Sequence, residues 1–146
     1  MPEYRAITLN SQKTNSGAYG NTVTFVNDVT PGSLTTADSL KVLMIPAGTL
    51  LTELVIANDD LDSNGAPTSV VKIGYVNKDG TAAPGGADVA FGAGLTIMQA
   101  ANRTLLRFNP FLITKDIHVT IVPTINAATF ATGKVFAVAT GLLING

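Results

Sequence analysis

Apolar residues along this chain recur mainly at every second position. Val23 and Phe25 alternate with Thr22 and Thr24, and Leu40, Val42 and Met44 fall on one face of the next segment. Val71, Ile73 and Tyr75 alternate with Lys72 and Gly74, while Ile117, Val119 and Ile121 alternate with His118 and Thr120. Each run is short, rich in β-branched side chains and bounded by Gly, Pro, Asn or Asp, the pattern of half-buried strands. Leu50–Ala57, Arg103–Phe108 and Val135–Ile144 are further strand candidates, with a weaker one over Tyr4–Leu9. Helical spacing is confined to two single turns, Thr36–Ser39 and Ile97–Ala101. About eight short strands separated by regular turns predict an all-β domain, an antiparallel sandwich or barrel.

Three loops interrupt the pattern. The polar stretch Asn10–Asn21 holds Ser11, Asn15, Ser16, Gly17 and Gly20 and offers little surface to bury. Residues 1–21 therefore read as a polar N-terminal segment able to form an arm, with Asn10–Asn21 expected to be mobile until ordered against a partner, and residues 22–146 as one β-sandwich domain. The second loop, Asn58–Thr68, is acidic, and the third, Asp79–Gly94, is long and glycine-rich. A chain of 146 residues is large enough to bury a core without disulfides, and it contains no Cys, which fits a reducing compartment.

The charge content changes the picture more than the length does. Only 13% of residues are charged, the formal net charge is -1, and Glu occurs twice, at Glu3 and Glu53. Such a chain has no field to attract nucleic acid or an anionic membrane. No apolar run approaches a membrane helix, and the opening residues lack the apolar core of a secretory signal. A surface built from Thr, Asn, Ser and Gly hydrates without repelling a neighbouring subunit, so the composition favours docking. The uncharged strand Val135–Ile144 adds to this, since as an exposed sheet edge it would invite pairing with another copy.

Candidate chemistry is sparse. Asp60, Asp62, Asn64 and Gly65 match the opening of a calcium loop, whose alternating oxygens converge around a tight turn. The closing position is Val71 instead of a carboxylate. Asp60, Asp62 and Asn64 are therefore weak metal candidates, and the expectation is a turn whose side chains bond their own backbone. His118 is the single histidine and reads as an exposed or interface residue of its strand. Gly85, Gly86, Gly92 and Gly94 lack the Lys and the helix of a nucleotide loop and read as a flexible connection. Arg103 and Arg107 flank Leu105 on one side of a strand, with Thr104, Leu106 and Phe108 on the other. No catalytic set and no cofactor site assembles from these residues, so the chain does not read as an enzyme.

The run Ile45-Pro46-Ala47-Gly48-Thr49, followed by the acidic turn and by Val71-Lys72-Ile73-Gly74-Tyr75, resembles small virion proteins of tailed bacteriophages. His118-Val119-Thr120-Ile121 and Thr132-Gly133-Lys134-Val135 look like the closing hairpin of the same proteins. Over roughly residues 40–144 the chain is similar to capsid decoration, or cement, proteins. That resemblance implies a jelly-roll or related β-sandwich, no catalytic residues and homo-oligomeric assembly. It further implies the major capsid protein as partner and a place on the capsid exterior, after synthesis in the host bacterial cytoplasm. A trimer is favoured over a dimer because an icosahedral lattice offers threefold positions. The other reading is a head-fibre or tail-associated module that recognises a host surface.

Overall fold

Alternation is what turns these runs into strands. Side chains on a strand point to opposite faces in turn, so a period of two places Val, Ile and Phe together on the face that can be covered. In the computed structural model, residues 3–5, 14–16 and 22–144 are described, with side chains from residue 22 onward. The strands are β1 (Glu3–Arg5), β2 (Thr14–Ser16), β3 (Thr22–Val29), β4 (Ser39–Ile45), β5 (Thr49–Asn58) and β6 (Val70–Asn77). They continue with β7 (Gly92–Leu95), β8 (Asn102–Leu106), β9 (Phe111–Leu112), β10 (Ile117–Ile125) and β11 (Val135–Leu143).

Two sheets form, in the orders β1-β4-β10-β6-β7 and β2-β3-β11-β5-β8, with β9 continuing the β8 side of β5. Without β1, β2 and β9, the remaining eight strands give β4-β10-β6-β7 facing β3-β11-β5-β8, the order of a jelly roll. The all-β sandwich expected from the alternation is present, and among the described strands every pairing is antiparallel except that of β1 with β4. Between the sheets lie Phe25, Leu40, Leu43, Ile45, Leu51, Leu54, Ile56, Ile73, Val119 and Ile121, all fully buried. The only helical elements among the described residues are two single 3-10 turns, at Ala87–Val89 and Ile97–Gln99.

Four local outcomes depart from the sequence reading. In β4 the alternation slips: Val119 pairs with Leu43 and Thr120 with Lys41, leaving Val42 as the extra residue of a bulge. Leu40, Leu43 and Ile45 therefore share the inner register, and Met44 stands on the outer face beside His118. His118 does lie opposite the apolar row, but it is only 2% exposed. It belongs to the central strand of its sheet, between Met44 and Val76, and the outer face beside it is covered where the Ala87–Val89 turn crosses Gly74. The Asp79–Gly94 stretch is not simply a connection, since it contains that turn, buried Phe91 and the start of β7. Finally, β11 is not an edge strand. It is paired on both sides, with β3 and with β5. The expected arm over Asn10–Asn21 lies outside the described residues apart from Thr14–Ser16, which pairs with β3.

A close backbone approach accounts for one glycine and a positive φ for another. A Cβ on Gly74 would overlap the backbone of Ala87 and Asp88, so only glycine lets the turn lie against β6. Gly48 closes the Pro46-Ala47-Gly48 turn at φ 90°, a conformation that costs side-chain-bearing residues about 1–2 kcal/mol.

Candidate functional site

The acidic loop is held by its own carboxylates. Asp62 is buried, and its side chain accepts hydrogen bonds from the backbone N–H groups of Thr68 at 2.9 Å, Ser69 at 3.0 Å, Ala128 at 3.1 Å and Thr129 at 3.0 Å. Desolvation pushes its pKa up, but these four donors outweigh it and hold the carboxyl at about 2, below the ordinary 3.8. Asp60 accepts from the Asp62 N–H, and Asn64 accepts from the Ala66 N–H while its amide donates to the Thr129 hydroxyl. The three metal candidates thus fasten the 59–69 loop to itself and to the 126–131 loop. Among the described residues no cluster of three or more His, Cys, Asp or Glu has the geometry of a metal site.

The other end of the sandwich is aromatic. Tyr75 stacks on Phe111 at 5.7 Å between centroids, and Phe91 meets Phe108 edge-on at 4.9 Å. A recess of about 210 Å³ opens between this cluster and Gly85, Gly86 and Ala87. The rings are engaged mainly with one another, an arrangement that closes the end of the core. On the outside of β6, Lys72 bonds Asp88 at 2.9 Å and ties down the Ala87–Val89 turn. The side-chain hydrogen bond from Lys72 and its charge hold the Asp88 carboxyl below the usual range. Neither place pairs a nucleophile with a base.

The feature without an internal explanation is the outer face of the β3-β11-β5-β8 sheet. Pairing register aligns Val26, Val138, Val55 and Leu105 in one row across four strands. Val26 is 47% exposed and Leu105 52%. The adjacent row is Asp28, Phe136, Ala57 and Arg103, with Phe136 41% exposed. On the other side lie Thr24, Thr140 and Glu53, then Thr22, Leu142, Leu50 and Leu112. A bulge at Thr52, whose hydroxyl donates to the Thr140 carbonyl at 2.9 Å, brings Glu53 to this surface. Arg107 and Glu53 line the same shallow recess at the β8 border.

Arg103, Leu105 and Arg107 were legible as one strand face, and the structure exposes all three. The rest of the face was missed. Its signal was available in β5 and β11, where Leu54-Val55-Ile56-Ala57 and Val135-Phe136-Ala137-Val138-Ala139 are apolar at both phases of the alternation. A strand apolar at both phases has two faces to cover. Among the described residues only one is covered, and contiguous exposed apolar rows rimmed by polar groups mark interaction surfaces.

No known family and no curated protein sequence matches the chain. Among solved structures, a chain in the capsid asymmetric unit of cyanophage Pam1 is 27% identical with a TM-score of 0.72, and the match covers 88% of this chain and 89% of that one. A chain in the capsid of Ralstonia phage GP4 has a TM-score of 0.76 at 18% identity, over 99% of both chains. The acid-stable capsid of Helicobacter pylori bacteriophage KHP30 contains a chain of the same fold, with a TM-score of 0.55 and 12% identity over 90% and 93%. The chain is therefore related in structure to components of phage capsids.

Proposed function

We propose that this protein is a structural component of a phage virion that decorates the capsid exterior and stabilises it by bridging major capsid subunits. The observation that carries this reading is the match to a chain of the Pam1 capsid over nearly the whole length of both chains. The uncovered apolar rows of the β3-β11-β5-β8 sheet support it, because a shell component must bury surface against neighbours. The mechanism is added interface: burying apolar area stabilises a shell by roughly 25 cal/mol for each Å² removed from water. In this reading the protein acts as a homo-oligomer and not as an enzyme, which fits a set of polar side chains committed to holding loops.

Adding purified protein to expanded capsid shells that lack it tests the proposal. Saturable binding of hundreds of copies per shell, together with a higher shell melting temperature, is the expected result. Failure to bind, or a virion holding only a handful of copies, would overturn it in favour of a head-fibre or tail module.

A further inference from the structure

The rows of the outer sheet face carry a pattern that capsid bridging does not require. In the row Asp28–Phe136–Ala57–Arg103, the acid stands at the β3 border and the guanidinium at the β8 border. A large ring and a methyl group lie side by side between them. The next row, Val26–Val138–Val55–Leu105, is apolar throughout. We infer that this face docks a second copy of the chain, packed face to face about a twofold axis that runs parallel to the strands between β11 and β5.

That operation reverses each row against itself. Asp28 then meets Arg103 of the second copy, Phe136 meets Ala57, Val26 meets Leu105, and Val138 meets Val55. Every contact occurs twice, as an isologous interface demands. Thr140 meets Glu53, a hydroxyl donor against a carboxylate acceptor. A twofold axis running across the strands would instead set Arg103 opposite Arg107, placing like charges together, so the register selects the first axis. The result sets an apolar centre between Asp28 and Arg103 at its borders, the usual anatomy of a specific interface, with Glu53 beside the axis facing the Thr140 hydroxyl of the second copy.

The dimensions agree with this. Facing sheets pack about 10 Å apart and cross at about 30°, which shifts the ends of the rows by a distance that an arginine side chain spans. Within one chain Asp28 lies 3.4 Å from Lys134. Lys134 is exposed and Asp28 partly exposed, and ion pairs open to solvent are weak, so the carboxylate keeps capacity to accept the guanidinium as well. The pairing is twofold, in place of the trimer that the threefold positions of a lattice suggest, and it stands whether or not the protein binds shells.

Sedimentation equilibrium of the full chain tests the pairing. A reversible dimer is expected. Asp28→Arg and Arg103→Asp should each raise its dissociation constant about tenfold or more, since each variant sets like charges together twice. An equimolar mixture of the two variants should recover tight association, because the mixed pair restores Arg against Asp at both contacts. Val138→Lys should abolish pairing while leaving the thermal transition of the chain in place, as that side chain points out of the sandwich. A wild-type chain that stays monomeric at tens of micromolar, a mixture that fails to recover, or a trimer indifferent to the charge reversals would overturn the inference. A monomer that binds shells and loses binding in Val138→Lys would assign the face to the capsid surface instead.

Discussion

Asp62 shows how one buried carboxylate can organise two loops. Its four backbone donors come from residues 68–69 and 128–129, so removing it strands N–H groups on both sides. Asp62→Ala is expected to lower unfolding free energy by about 2–4 kcal/mol, read from urea denaturation. The same bonds set a pH dependence. The folded pKa of about 2 lies below the ordinary 3.8, so the contribution is complete above that ordinary value and is lost as pH falls through the folded one. Wild-type stability should therefore decline between about pH 4 and pH 2, and Asp62→Ala should decline less over that range. At Gly74, a methyl group would collide with the Ala87–Asp88 backbone. Gly74→Ala should cost about 1–3 kcal/mol and make the 79–91 stretch more sensitive to protease. Gly85→Ala, with nothing within 4 Å of its Cβ position, should stay within about 0.5 kcal/mol of wild type.

Among the elements, those with regular alternation were legible in the sequence, and those shaped by a neighbour were not. β3, β6 and the first part of β10 follow the period of two, and their inner residues fall where the alternation puts them. The bulge at Val42 was hidden because Val42, Leu43 and Met44 are all apolar, so no polar residue marks the slip. β7 and β9 were invisible, being short and glycine-rich or only two residues long. The position of β11 between β3 and β5 is a matter of topology, which local pattern does not encode, so the edge argument failed and the apolar surface of β11 lies on its outer face instead. Of the candidate site residues, the arginine pair was read from one strand alone. The rows they complete needed the register of four. β1 and β2 contribute three residues each at the outer ends of the sheets. A chain beginning at residue 22 keeps all eight jelly-roll strands and is expected to unfold in a single cooperative transition with its β-type circular dichroism intact. Loss of that transition would show that the first 21 residues are integral to the fold.

For the whole molecule, the dominant property is that its strand pairs join distant parts of the chain. Thr22 faces Leu142, and Leu50 faces Leu112. Loop closure must precede the contacts that reward it, so refolding is expected on the scale of milliseconds to seconds, and stopped-flow dilution from urea measures it. A microsecond phase that recovers full native signal would contradict this account.

The placement of β11 also has a consequence during translation. β3 and β5 both leave the ribosome before it, and the stretch 59–134 separates β5 from β11. At roughly 5–20 residues per second, that stretch takes about 4–15 s to synthesise. Throughout that interval the strand edges that β11 will occupy present open rows of N–H and C=O groups. On a crowded polysome, the nearest finished β11 belongs to the chain ahead. The slot between β3 and β5 is thus the place where a nascent chain can accept a strand from its neighbour, and slowing translation across residues 59–134 should raise the yield of strand-swapped aggregates.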